Sequence, residues 1–525
     1  MFQAQSLRPV TAKRGDPGRD PWWEVSVQIN LVSSYGAAAL GVGALGDGMA
    51  LIVAGGTARL IYSEAELNRA MSLSLGAVSA PGSGYVSAAS LAAPQMGNLE
   101  PGRSIAFQDT GTVVRAFLFD SHLGVLTAST LSASGAPGAA VTVSSDLGAL
   151  TGVETFAILG GAGGDTAVLS TWNQPGLQVF RLADTGALTH LSTVKDTAKS
   201  YVATVSDTAA VTIAGQEYLL TLSALENGIT CYAVAGNGAT TLIDSLGNRD
   251  MLAVSGAAAL QVMQVAGVTY AVIAATGSSS LSVVRVNDMG CLFQTDHLVD
   301  GRTTRFDHTS VLDSFALNGR SFVVTAGTDA GITVLELLPG GRLQPFCTGV
   351  FETGAGLFAV KGLEVAVSGS TVSIFVVDDR ADRVQQFDLS LANLGGVVRP
   401  TGGQAIGTAR DDLVLGTAAA ETLSGWGGDD WIHSGGGADV LMGGTGADVF
   451  VFGAGSDNAR INGLELGVDR IDLSDWGHVY SKAALTITST ATGCVIGLNG
   501  LDITVVAADS RPLTAASFLD SDFLF

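Results

Sequence analysis

Short apolar stretches bounded by glycine run through this chain, and in its middle they recur about every 52 residues. A turn glycine precedes an apolar run at Gly163, Gly215, Gly267, Gly319 and Gly369, as in AGQEYLLTLSA and NGRSFVVTAG. A second column starts at Gly176, Gly228, Ser280, Gly331 and Arg383 and reads GLQVFRL, GITCYAV, SLSVVRV, GITVLEL and RVQQFDL. These runs are free of proline and rich in residues that pack well on a pleated surface. A third column, Gly186, Gly238, Gly290 and Gly341, marks a tight reversal, with Asn237-Gly238 supplying the positive φ that such a turn needs. Four antiparallel strands in about 50 residues is the rhythm of a propeller blade, where radial repetition leaves only short sheet edges. Weaker echoes over residues 50–63 and 111–127 add two earlier units. The pattern predicts an all-β fold: an extension over residues 1–24, then a β-propeller of about seven four-stranded blades over 25–398. Six or eight blades stay open because the first units are irregularly spaced. VSVQINLV, starting at Val25, is a candidate closing strand.

After GGVVRPTGGQ the period drops to nine, and a new domain, a parallel β-roll over residues 399–455, is expected. Five units follow in phase: GTARDDLVL from Gly407, GTAAAETLS from Gly416, GWGGDDWIH from Gly425, SGGGADVLM from Ser434 and GGTGADVFV from Gly443. The sixth position holds a carboxylate in each: Asp412, Glu421, Asp430, Asp439 and Asp448. The eighth is apolar, Val414, Leu423, Ile432, Leu441 and Phe450, and is expected to fill the interior. Glycine or small residues at the turns let backbone carbonyls approach one ion, to which the aspartate adds a hard anionic oxygen. The expected ligand turns are therefore Gly407 and Ala409, Gly425 and Gly427, Ser434 and Gly436, and Gly443 and Thr445, together with the five carboxylates. Units two apart stack on one edge, pairing Asp412 with Asp430, Glu421 with Asp439, and Asp430 with Asp448. Ca2+ suits such an oxygen cage better than Mg2+, which dehydrates reluctantly, or Zn2+, which prefers His and Cys. About two to four ions are expected. Two departures single out weaker units: AAAET where the second unit should carry turn glycines, and Trp426 in the third. Trp431 and His433 are read as surface residues of the roll.

The nonapeptide resembles the calcium-binding repeat of secreted bacterial repeat-in-toxin (RTX, hemolysin-type) proteins. Residues 448–476, DVFVFGAGSDNARINGLELGVDRIDLSDW, resemble the segment that follows the roll in serralysin-type proteases. The expectation for residues 456–525 is a cap, with Phe450, Phe452, Ile461, Leu464, Ile471 and Leu473 closing the roll. Asp469, Asp472 and Asp475 are read as solvated loops or turn caps, with a terminal calcium site as the sharper alternative. The end, SFLDSDFLF, resembles the uncleaved signal read by bacterial type I secretion machinery. The resemblance implies an extracellular or cell-surface protein that stays unfolded in the calcium-poor cytoplasm and folds outside, where binding free energy becomes folding free energy. Across about residues 25–395 the blade rhythm is similar to lactonase-like and quinoprotein-like propellers.

Composition narrows the function further. A formal charge of −22 argues against nucleic acid as a partner, because neutralising phosphates takes clustered Lys and Arg. No uninterrupted bilayer-spanning helix is present: the apolar stretch 37–54 is broken by Gly41, Gly43, Gly46, Asp47 and Gly48. The first residues lack the apolar core of a cleavable signal, so no ordinary amino-terminal export route is expected. Cys231, Cys291, Cys347 and Cys494 lack metal or redox spacing and are read as small apolar residues. No HExxH, GxSxG or P-loop pattern occurs. Asp307, His308 and Asp313 form the best enzyme candidate, with His308 as base or ligand, while Asp378, Asp379, Arg380, Asp382 and Arg383 are read as a salt-linked turn. The preferred reading is not catalytic: a secreted calcium-binding protein whose propeller meets a carbohydrate, a cell surface or copies of itself. The alternative is a secreted propeller hydrolase of lactonase or phosphoesterase type.

Overall fold

The computed structural model describes residues 29–36, 45–54, 57–64, 69–77, 105–119, 125–132, 135–160, 164–172, 174–350, 360–378, 383–453, 455, 458–477, 481–498 and 500–524. Side chains before residue 105 other than that of Ile29, and those of Asp378 and Arg383, are not described; Asp379, Arg380 and Asp382 lie outside the described residues, and with them the expected salt-linked turn. The chain divides into two compact units, one dominated by residues 26–390 and the other by 391–525.

The first unit is a propeller built of antiparallel meanders. Six sheets are four-stranded: residues 105–142, 153–194, 205–247, 257–299, 311–350, and a last one in which strands Val360–Ser368, Thr371–Asp378 and Arg383–Ser390 are joined by the amino-terminal strand Ile29–Gly36. Six four-stranded blades, and not about seven, is thus the count among the described residues. A three-stranded sheet, Leu45–Ala54, Thr57–Glu64 and Arg69–Ala77, has its inner strand between those of residues 360–368 and 105–109. The segment 78–104, which follows it, lies outside the described residues. The amino-terminal strand pairs antiparallel with Arg383–Ser390, so the two ends of the propeller sequence close one blade.

Burial explains the strand chemistry. Third strands are packed on both faces between neighbouring blades, and Gly331–Leu338 is buried at every residue. Fourth strands, at the rim, alternate: Leu188–Val194 exposes every second side chain. The reversal between third and fourth strands falls at the predicted glycines, with Gly238 at φ +82°. Cys231, Cys347 and Cys494 are buried, Cys291 partly so, and all four are free thiols.

Carboxylates link successive blades. Asp207 accepts the Leu260 N–H (2.8 Å), Asp244 that of Leu292 (2.9 Å), Asp296 that of Leu343 (2.7 Å) and Asp313 that of Val365 (2.6 Å). In each case the other oxygen accepts the N–H of the residue that follows it. Register shifts beside Asp207, Asp244 and Asp296 turn these side chains out of their own ladder toward the next sheet.

The second unit alternates between two mainly parallel sheets wound as coils. One stacks Leu394–Val398, Asp411–Leu415, Trp431–His433, Val449–Val451, Arg470–Asp472 and Phe523–Leu524; the other stacks Gln404–Ile406, Thr422–Gly427, Val440–Thr445, Ala459–Leu464 and Leu501–Ala507, followed by an antiparallel hairpin. Leu394–Val398, on the propeller side of the expected boundary at 398/399, pairs in parallel with Asp411–Leu415 and is the first rung of the roll. Leu413, Trp431 and Val449 lie in register, so one coil takes 18 residues, two nonapeptides. Val414, Leu423, Ile432, Leu441 and Phe450 are all 0% exposed. Phe452, Ile461, Leu464, Ile471 and Leu473 join the same core, together with Trp476, Leu513, Phe518 and Phe523 from the tail.

The blade-linking carboxylates make a stability prediction. Asp313→Ala leaves the Val365 N–H without that partner at a buried inner strand, and thermal or urea unfolding should show a loss of about 1–3 kcal/mol with calcium uptake unchanged.

Candidate metal centre

The turns between the two sheets of the roll bring the repeat carboxylates into stacked rows. On one edge the backbone N–H of Asp412 donates to Asp430 Oδ1 (2.8 Å), that of Asp430 to Asp448 Oδ1 (3.0 Å), and that of Asp448 to Asp469 Oδ1 (3.1 Å). On the other, the Glu421 N–H donates to Asp439 Oδ1 (2.8 Å). All three expected pairs are therefore neighbours, one coil apart. Asp469 is a further rung in place of a solvated loop residue; it follows Asp448 by 21 residues, not 18, so the nine-residue period missed it. Asp472 caps a turn, accepting the Ser474 N–H at 3.0 Å, and Asp475 is exposed.

These carboxylates are out of water. Asp412 and Asp430 are 0% exposed, Asp439 and Asp448 1%. The second oxygens of Asp430, Asp439 and Asp448 are buried and have no hydrogen-bond partner. A buried, unpaired acceptor that carries a charge is strongly unfavourable. Burial, reinforced by the neighbouring carboxylates, pushes Asp430 up to about 8 and Asp448 up to about 7. Asp439 and Asp469 are each raised to about 6, again chiefly by burial.

The turns leave no room for side chains where the carboxylates point. A Cβ on Gly425 would stand 2.1 Å from Asp430 Oδ2, and one on Gly443 1.9 Å from Asp448 Oδ2. Neighbouring turns also present carbonyls to one another: a Cβ on Gly444 would meet the Trp426 carbonyl at 2.2 Å, and one on Gly446 that of Gly428 at 2.0 Å. Gly425, Gly427, Ser434, Gly436 and Gly443 are buried, Gly407 partly so, and Ala409 and Thr445 are exposed. Trp426 takes the left-handed conformation, φ +78°, that glycine adopts at the same position of the next two units, Gly435 and Gly444. Its ring stays 64% exposed. Trp431 and His433 lie partly exposed on the roll with ring centroids 6.4 Å apart. Among the described residues, no three His, Cys, Asp or Glu side chains converge as a metal cage. The donors available are single carboxylate oxygens with backbone carbonyls, a hard all-oxygen set that fits calcium.

The propeller candidate does not assemble. His308 Nδ1 lies 2.9 Å from Asp307 Oδ1, but both side chains are exposed, 63% and 40%, in a turn that precedes the inner strand. Hydrogen bonds from Ser279 and from His308 hold the Asp307 carboxyl below its ordinary value. Asp313, 6% exposed, is committed to the next blade through Val365.

The architecture is a propeller followed by a parallel β-roll with the oxygen chemistry of a calcium site. Residues 406–441 and 427–459 match the RTX calcium-binding nonapeptide repeat (four copies). The chain thus carries calcium-binding RTX repeats, which point to a secreted bacterial protein. No curated protein matches the chain. Among solved structures, a protein from Lactobacillus plantarum is similar at 13% identity and TM-score 0.40, over 66% of this chain and 96% of that one. A functionally unknown protein from Desulfotomaculum acetoxidans has 10% identity and TM-score 0.38, over 63% and 90%. The periplasmic gluconolactonase of Pseudomonas aeruginosa has 12% identity and TM-score 0.37, over 65% and 96%. No helix among the described residues is long and apolar enough to cross a membrane.

The raised carboxyls set a pH dependence for the calcium-free protein. An acid whose folded-state value exceeds its unfolded one, near 4, stabilises the fold fully below about pH 4, and that contribution is lost as pH rises through about 6 to about 8. In chelator, circular dichroism should therefore report a lower melting temperature at pH 8.5 than at pH 5. Asp430→Asn should raise the melting temperature in chelator at pH 8.5 while weakening calcium binding.

Proposed function

We propose that this is a secreted, calcium-stabilised protein in which the roll is a folding and export device and the propeller is an extracellular binding module. The observation that carries the reading is the set of buried, unpartnered carboxylate oxygens on Asp430, Asp439 and Asp448 within RTX repeats. Without a cation or a proton, stacked carboxylates repel one another in a medium of low dielectric. With calcium bound between turns, held by these oxygens and the carbonyls of the intervening glycine turns, the same rows become attractive. Folding is then linked to the calcium concentration outside the cell.

The fold of the chain's end supports export before folding. Phe518 and Phe523 are 0% and 1% exposed, and Phe523–Leu524 pairs in parallel with Arg470–Asp472 as the last rung of its sheet. A secretion machine of type I can read SFLDSDFLF only while the roll is open. For the propeller, loops joining second to third strands, and fourth strands to the next blade, emerge at one end of the meander. They carry Trp172, Leu225 and Met251 at 62%, 69% and 85% exposure, the side chains that this reading assigns to ligand contact. A carbohydrate or a cell surface is the class of ligand we assign.

Two assays test this reading. Calorimetric titration of the full chain should show calcium uptake accompanied by a gain of β structure; the absence of uptake at millimolar calcium would sink it. Calcium-loaded protein should bind a glycan array or intact bacterial cells. Calcium-dependent turnover of a lactone or phosphoester that is lost in His308→Ala would replace the binding role with a hydrolytic one.

A further inference from the structure

The five carboxylates of the repeat are of two kinds. In the third, fourth and fifth units the second position is Trp426, Gly435 or Gly444, each at positive φ (+78°, +75° and +118°), and the carboxylate's second oxygen is left with no partner. In the first two units that position is threonine, Thr408 and Thr417, and neither is in the left-handed region. Thr408 donates to Asp412 Oδ2 twice, from its backbone N–H (2.5 Å) and its hydroxyl (2.8 Å). Asp412 Oδ1 takes the Gly396 N–H at 2.8 Å. Thr417 donates its N–H to Glu421 Oε2 (2.7 Å) and its hydroxyl to Glu421 Oε1 (2.6 Å). The longer glutamate is what lets both of its oxygens reach one threonine.

Hydrogen-bond donation to an ionised carboxylate stabilises the charge much as a cation does, without the need to desolvate an ion. Calcium offered to Asp412 or Glu421 would have to break two donor contacts, whereas at Asp430, Asp439 and Asp448 it fills a vacancy in bonding capacity. At the third position of the unit Ala409 and Ala418 face solvent while Gly427 and Gly436 are buried; Thr445, in the turn of Asp448, is exposed like the first two.

We infer that Thr408 and Thr417 act as built-in substitutes for calcium, so that the first two turns of the roll are closed by side-chain clamps and the ion is taken up only at the turns of Asp430, Asp439 and Asp448. This rests on the calcium reading above and narrows it, removing Gly407, Ala409, Asp412 and Glu421 from the ligand set. The roll is thereby graded: an entrance that needs no metal, followed by turns that do.

Calcium titration of full-length variants tests the grading, with bound calcium counted by equilibrium dialysis. Asp412→Asn and Glu421→Gln should leave the number of bound ions unchanged and move the titration midpoint less than about twofold, whereas Asp430→Asn or Asp448→Asn should remove an ion or raise the midpoint at least about tenfold. Thr408→Val with Thr417→Val should lower the melting temperature equally in calcium and in chelator, again with the ion count intact. Loss of an ion in Asp412→Asn or Glu421→Gln would overturn the inference while leaving calcium binding standing. A wild-type chain that binds no calcium would instead overturn the calcium reading itself. Should Asp430→Asn fail to fold, Asp439→Asn and Asp448→Asn carry the comparison.

Discussion

The roll depends on how buried carboxylates that recur every 18 residues are kept from repelling one another. Winding two nonapeptides per coil puts Val414, Ile432 and Phe450 in one interior row, and Asp412, Asp430 and Asp448 in another at the turns. The first alignment supplies hydrophobic stabilisation; the second opposes it. Each aspartate of this row settles half of its hydrogen bonding by accepting a backbone N–H from the coil before it, so the row is also a ladder. What remains is one oxygen per rung, and the identity of whatever meets that oxygen decides whether the coils can stack.

The same residue type has a different task in the propeller. Asp207, Asp244, Asp296 and Asp313 each divide their two oxygens between their own strand and the adjacent blade. These carboxylates have their donors built in, because the next sheet presents a backbone N–H where the bulge aims the side chain. A ring of separately wound sheets otherwise holds its blades together by apolar contact, which is non-directional. The carboxylate clips add direction. Asp313 belongs to this group, which is why its proximity in sequence to Asp307 and His308 does not make a catalytic cluster.

The two solutions set the character of the units. The propeller's blade-linking carboxylates, Asp207, Asp244, Asp296 and Asp313, are satisfied by the chain itself. The later turns of the roll leave acceptors that only a proton or a cation can satisfy, so their stability is tied to the surrounding solution. The terminal strand Phe523–Leu524 is part of that conditional structure.

Much of this was legible in the residues. The nine-residue period is local, each turn being made by its own glycines and each interior position by its own apolar residue, so the coil, its 18-residue repeat and the stacked pairs follow from spacing. The third strands and hairpin glycines of the blades were legible for the same reason, since φ at Gly238 and burial of GITCYAV are properties of short segments. What spacing could not supply are facts about partners distant in sequence. Ile29–Gly36, within the candidate closing segment, completes the last blade, but only its pairing with Arg383–Ser390 shows which sheet it joins, and the sheet of residues 45–77 has three described strands where the rhythm implied four. Asp469 joins the carboxylate ladder because three extra residues separate it from Asp448, two placed before Arg460 and one after it. Asp412 and Asp430 look identical as sequence, and only folding shows that Thr408 closes on the one while a left-handed Trp426 leaves the other bare. A repeat determines which atoms are brought together; the conformation of the turn determines whether their bonds are already made.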